Sequence, residues 1–171
     1  MLAVNLRSFK RKLAIHRKTY RSFLNKMEKT PAPKIDQLTP IVAAEVWQQV
    51  DCTSCANCCK KMTPTFTAKD LKRIAAHFNQ TVDAFKEQWL LKDKNNDWVN
   101  VKQPCQFLNK QTNMCSIYEV RPADCAGFPH LSKKKFEEYA HVHKQNLDYC
   151  PATFLMVQKL KDRVATLTLH K

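Results

Sequence analysis

The chain has 171 residues, a single glycine (Gly127), eight cysteines and a net charge of +14. That length can bury a core without covalent staples, and one glycine excludes the Gly-rich phosphate cradles of dinucleotide-binding and P-loop folds, so no nucleotide cofactor is expected. The charge is uneven: residues 1–34 carry ten Lys or Arg against Glu28 alone, giving +9, and residues 35–171 carry the other +5.

From the amino terminus, Leu6, Phe9, Leu13, His16, Tyr20, Phe23 and Met27 alternate three and four apart. That spacing predicts one helix of about six turns with a single apolar stripe. Arg7, Lys10, Arg11, Lys12, Arg17, Lys18, Arg21 and Lys26 cover its other faces. Thr30-Pro31-Ala32-Pro33 ends it, because proline lacks a backbone donor and restricts the residue before it. Residues 1–34 therefore read as a basic amphipathic extension and 35–171 as the body. The stripe packs on the body or on a second copy, or else residues 1–30 dock on RNA or an anionic membrane surface. No apolar core follows the basic start, so it is not a secretory signal. The longest apolar runs, such as Phe154–Val157, fall far short of the ~20 residues of a membrane span. A cytoplasmic protein with reduced thiols is expected, a disulfide framework being the lesser alternative.

In the body, Thr39-Pro40 reads as an N-cap and first helical residue, opening a helix through Ile41, Val42, Val46, Trp47 and Val50. Thr67-x2-Asp70 is a capping box before a helix burying Leu71, Ile74, Ala75 and Phe78, and Thr81 caps the next, with Val82, Phe85 and Trp89 inward. Trp98–Val101 and Ser116–Tyr118 are brief strands or extended loops, and 119–131 is irregular. Helices are expected over 133–144 and from Pro151, with Phe154, Leu155, Val157 and Leu160 apolar. The fold class is mainly α: a small single domain with an irregular cysteine-rich middle and a basic N-terminal helix.

Four cysteines fall within eight residues, as Cys52-x2-Cys55-x2-Cys58-Cys59, and Cys105, Cys115, Cys125 and Cys150 follow. Thiolates so close repel one another unless a cation lies between them, and eight match two four-coordinate sites. In extended backbone, neighbouring side chains point to opposite faces, so Cys58 and Cys59 are expected to serve different sites or different metals of one compound site. Cys52-x2-Cys55-x2-Cys58 with a remote Cys150-Pro151 echoes the bacterial ferredoxin run. Zinc knuckles commonly place glycine beside their cysteines, and here stand Ala56, Asn57, Lys60 and Lys61. An iron–sulfur cluster is favoured over zinc. Lys60, Lys61 and Arg121 could offset the thiolate charge.

These motifs, with Pro104-Cys105-x-Phe107-Leu108 and Cys115-x-Ile117-Tyr118-Glu119-x-Arg121-Pro122-x2-Cys125-x2-Phe128-Pro129, resemble the YkgJ-like cysteine-cluster family, described as a zinc- or iron-chelating domain. The resemblance covers roughly residues 50–130. It implies Cys52, Cys55, Cys58, Cys59, Cys105, Cys115 and Cys125 as ligand candidates; Cys150 joins them by count and by its Cys-Pro context. The family usually carries Arg after the last cysteine of its Arg-Pro-x2-Cys motif. Ala126-Gly127 stands there, which leaves any such role to Lys60 or Arg121.

Among His77, His130, His141 and His143, His130 is the one to watch, five residues beyond Cys125, and His141 and His143, which do not share a helix face, are both expected to be solvent-exposed. Glu119, Arg121 and Asp124 read as an ion-pair brace for the loop or as outer support of the ligands. The function expected is a metal-binding protein that transfers electrons, senses redox state or assists a partner enzyme. The alternative is a zinc-stabilised module docking RNA, a ribosome or another protein through its basic first helix. Full sulfur ligation leaves no open coordination position, so the residues do not decide whether the chain is an enzyme.

Overall fold

The computed structural model describes residues 4–133 and 135–169. In chain order these form α1 (Leu6–Lys29), α2 (Ile35–Gln49), α3 (Cys52–Cys55), α4 (Asn57–Lys61), α5 (Ala68–His77), α6 (Val82–Trp89), β1 (Leu90–Lys92), β2 (Trp98–Asn100), a 3-10 turn (Tyr118–Val120), α7 (Ala123–Gly127), α8 (Phe136–Asn146) and α9 (Pro151–Leu169). The protein is mainly α, with a cysteine-rich middle of short elements. The chain divides into two compact units, the first of residues 1–55 with 129–171, the second of 56–128.

The first unit is a helical bundle. Asn5 caps α1 by accepting from the Ser8 amide at 2.9 Å, and the helix stops at Lys29, just before Thr30-Pro31. Phe9, Tyr20, Leu24 and Met27 are its buried residues, packed on α8 and α9. Leu24 is buried while Phe23 is only half-buried, so the stripe follows the 3.6-residue turn of a single helix more closely than a coiled-coil seam. The Phe154 ring meets Phe9 at 5.8 Å and Tyr20 at 5.1 Å. Arg17 bonds both carboxylate oxygens of Asp148 at 2.7 Å, and Lys144 pairs with Glu28 at 2.6 Å.

Two boundaries differ from expectation. Helix α2 starts at Ile35, after Lys34 in the left-handed region (φ 63°), and carries Pro40 inside it. Thr39 does not cap: its hydroxyl donates back to the Ile35 carbonyl at 2.7 Å, which leaves the proline embedded in a helix that had already begun. Helix α8 runs Phe136–Asn146 after Lys135 at φ 60°, and Phe136, Ala140, His143 and Leu147 share its inward face. His143 is therefore wholly buried where a solvent position was expected, and His141 is exposed.

The second unit is built on an aromatic core. The capping box of α5 forms as expected: the Asp70 amide donates to Thr67 Oγ1 and the Thr67 amide to Asp70 Oδ2. Thr81 caps α6 by accepting from the Ala84 amide. Phe66, Leu71, Ile74, Phe85, Leu90, Phe107 and Ile117 are buried together, with Phe78 and Trp89 packed against them. Strand β1 pairs antiparallel with β2, Leu91 opposite Val99, and the Thr65 segment bridges to Val99 on the other edge. Residues 119–131, expected to be irregular, hold the end of the 3-10 turn and the single turn of α7, which starts after Pro122, a residue whose fixed φ suits a helix entry.

Candidate metal centre

Four separate pieces of the second unit carry its five cysteines. Ala56, in the left-handed region at φ 47°, precedes α4 and buries with Asn57; α4 then presents Cys58, Cys59 and Lys60. Cys58 and Cys59 thus lie on a helix, where successive side chains are about 100° apart, and their Sγ atoms stand 3.8 Å from each other. This corrects the extended-backbone premise. With Zn–S bonds of about 2.3 Å, two thiolates on one tetrahedral ion stand about 3.8 Å apart, so geometry no longer forces the pair onto different ions.

Cys105 and Cys115 lie on the two arms of a tight excursion. Leu108 bridges antiparallel to Cys115, the Asn109 amide donates to the Met114 carbonyl, and Ser116 to Phe107. Asn109 Oδ1 accepts from the Gln111 and Thr112 amides, and Asn113 takes a positive φ, a conformation asparagine tolerates well. Buried Phe107 and Ile117, each two residues past a cysteine, anchor the arms in the aromatic core. The Cys105 amide donates to the Cys59 carbonyl at 2.8 Å and fastens this excursion to α4.

Cys125 is placed by Asp70. That carboxylate, 1% exposed, accepts from Thr67 through Oδ2 and from the Arg73 guanidinium (2.7 Å) and the Ala123 amide (3.0 Å) through Oδ1. Arg73 also donates to the Arg121 carbonyl at 2.9 Å. The Arg121-Pro122-Ala123 entry to α7 is thereby clamped onto α5. Burial opposes ionisation of Asp70, but these hydrogen bonds outweigh it and its pKa is lowered.

Electrostatics tie four of these sulfurs together. Cys59 is lowered to about 7, because the Cys58 thiol donates to it against the cost of burial, with Lys60 adding positive charge. Burial raises Cys105 and Cys115, the charge of Cys59 adds to both, and Arg121 pulls Cys115 back. Cys125 is pushed up by burial, then by Cys59, Asp124, Cys105 and Cys115. Every pairing among Cys59, Cys105, Cys115 and Cys125 therefore interacts. Lys60 and Arg121, two of the three expected supports, both supply positive charge here; Arg121 also lies over the Tyr118 ring at 3.8 Å. Asp124 accepts from the Thr65 amide at 3.2 Å. A small cavity of about 60 Å³ opens beside the sulfurs, lined by Cys58, Cys59, Cys105, Cys125, Met62 and Phe128 among others.

Asn100 was not singled out by the sequence. Its Nδ2 donates to Cys105 Sγ at 3.2 Å, and Gln106 Nε2 reaches both Asn100 Oδ1 (3.1 Å) and the Trp89 carbonyl (2.8 Å). Gln106 thus fixes which way the Asn100 amide faces, and its NH2 points at sulfur. The only trace in the sequence is a polar residue beside Val99 in a short strand, five positions before a cysteine.

Cys52, Cys55 and Cys150 belong to the first unit. Cys52 is exposed and Cys55 buried on α3; Cys150 precedes α9, and burial pushes it up to about 12. All eight cysteines carry free thiols. Of the histidines, His77 is exposed and edge-on to Phe78 at 5.4 Å, and His130, His141 and His143 lie in the first unit. Among the described residues no three His, Cys, Asp or Glu side chains are already arranged to hold an ion, and no helix is long and apolar enough to cross a membrane.

The model of a family named for its CxxCxxCC motif, with the description "Putative zinc- or iron-chelating domain", matches residues 51–145. An uncharacterised protein of Methanocaldococcus jannaschii is 33% identical over 114 residues, which are 65% of this chain and 62% of that protein. The chain thus spans less than two thirds of the length of this relative. No solved structure matches it.

Proposed function

The chain belongs to the CxxCxxCC family, and on that premise we propose that it chelates one zinc or iron ion in its second unit through Cys59, Cys105, Cys115 and Cys125. The observation that carries this is geometric: Cys59, Cys105 and Cys125 line one cavity, the Cys105 amide is bonded to the Cys59 carbonyl, and Cys115 lies on the arm bridged to that of Cys105, with the charge coupling among the four sulfurs in agreement. A divalent cation reverses the sign of that coupling, so thiols that burial keeps protonated become thiolates on the ion. The four donors fit a tetrahedral ion of either metal. Cys58 sits beside the set, its sulfur 3.8 Å from that of Cys59. Lys60 and Arg121 offset the excess negative charge that four thiolates bring.

Four sulfurs around one ion leave no position for a substrate water, which favours a structural or electron-transferring centre over a hydrolytic one. Iron supplies one-electron chemistry at such a site, and electron transfer, redox sensing or assistance to a partner enzyme follows from it. Zinc supplies fold stability only, and the protein is then a zinc-stabilised interaction module. Purification without oxygen, elemental analysis and an absorption spectrum decide between them. We expect iron or zinc bound to the second unit and lost in Cys105→Ser and Cys125→Ser, with Cys58→Ser retaining it. Protein free of both metals, or ion retention by Cys105→Ser and Cys125→Ser alike, would overturn the ligand assignment.

A further inference from the structure

We propose that the outward face of α1 binds the phosphodiester backbone of duplex nucleic acid. Helix α1 buries Phe9, Tyr20, Leu24 and Met27 against α8 and α9, and this fixes what the rest of the helix presents. At 100° per residue, Arg7, Arg11 and Lys18 lie within about 40° of the direction opposite that stripe, and Lys10, Lys12 and Lys26 flank them. All six are exposed. None has an ion pair among the described residues, whereas Arg17 and Arg21 are held by Asp148. The helix has no acid before Glu28. From Arg7 to Lys26 the row runs for about 29 Å of helix axis, close to the ~34 Å of one duplex turn.

The same packing argues against other occupants. Membrane-surface helices insert an apolar face, and that face of α1 is already covered by its own unit. Single strands need exposed aromatic platforms for their bases, but Phe9 and Tyr20 are buried and Phe23 is half-buried. A protein partner needs an apolar anchor at the centre of its interface, and the outward face offers Ile15 alone, 69% exposed. What remains is a set of exposed cations along one helix face, matched to a regular polyanion and read without sequence preference.

The test uses the full chain, as purified with its metal, and fluorescence anisotropy on a 20-base-pair RNA duplex and the DNA duplex of the same sequence, from 0.05 to 0.3 M salt. Replacing Arg7, Arg11 and Lys18 together by Gln should reduce the slope of log K against log salt by about 2.7, at about 0.9 per phosphate contact. Affinity at 0.1 M salt should fall on the order of tenfold or more. Arg11→Gln alone should remove about 0.9 of the slope, a check that does not depend on the triple variant folding. Lys69→Gln/Lys72→Gln/Lys94→Gln removes the same charge from exposed positions of the second unit and should leave binding unchanged. Equal losses in the two triple variants would reduce the effect to net charge and overturn the proposal. So would the absence of duplex binding at ~100 μM protein, or binding to phosphatidylserine vesicles or an acidic protein without binding to either duplex. Preference for RNA or for DNA, or equal affinity for both, tells which source of the backbone is bound, and each supports it.

Discussion

His143 has both ring nitrogens buried without a hydrogen-bond partner, its ring stacked on Phe136 at 5.2 Å. Burial lowers its pKa to about 4, with His130 and His141 adding repulsion. The unfolded chain takes up a proton near pH 6.5 that the folded chain refuses until about pH 4. Stability therefore rises with pH across that window and is fully present above it. The shift corresponds to about 3 kcal/mol lost on acidification from pH 7 to below 4. Urea midpoints measured at pH 7, 5.5 and 4 should fall in that order, and His143→Phe should flatten the fall. Asn100 acts on a sulfur instead of on the fold. Asn100→Ala leaves Gln106 its Trp89 carbonyl and removes the only hydrogen bond described to Cys105 Sγ from a side chain. Metal affinity, read by competition with a chelator, should drop about 10–100-fold. The metal-free protein should melt close to the parent. Neither effect was legible in the sequence: whether a histidine on a helix is inward depends on where that helix begins, and α8 begins at Phe136.

Among the elements, those announced by local chemistry are the ones found where the sequence puts them. Thr67-x2-Asp70, Thr81 and Pro151 each mark a helix start that the structure keeps, because caps act within one turn. Thr39-Pro40 misled for the same reason: a hydroxyl before proline reads as a cap, yet Thr39 back-bonds to Ile35 within a helix already under way. The turn of α7 was missed, since its start is held by Asp70 from 53 residues upstream. That reach makes Asp70 more than a cap. Asp70→Ala leaves the Arg73 guanidinium and the Thr67 and Ala123 amides without their acceptor. It should cost about 3 kcal/mol, against about 1 kcal/mol for Thr67→Ala. The two variants should also differ in metal content, Asp70→Ala losing it by freeing Cys125, which separates the clamp from the cap.

For the whole molecule, the cysteine pattern was legible as chemistry and only partly as geometry. The family resemblance implied Cys59, Cys105, Cys115 and Cys125 as ligand candidates without indicating that they would share one unit, or that Cys52, Cys55 and Cys150 would fall in the other. Membership of one unit is a tertiary property, set here by Phe107 and Ile117 in the core and by the Cys105 amide on the Cys59 carbonyl. Three of the four thiols are raised above their ordinary value, so uptake of an ion at pH 7 should release about three to four protons. Titration calorimetry in two buffers of different ionisation enthalpy measures that number. A value below about two would show that the sulfurs bind already ionised, or that fewer of them bind.

The uneven ionisation within the cluster also governs how the metal-free chain ages. Peroxide and alkylating reagents attack thiolates, and at neutral pH the described cluster offers one in quantity, at Cys59. Iodoacetamide should mark Cys59 and the exposed Cys52 within minutes, while Cys125 and Cys150 stay unlabelled. The stripped cluster can thus wait for its ion with Cys105, Cys115 and Cys125 in an inert form, and damage to the cluster, when it comes, enters at Cys59.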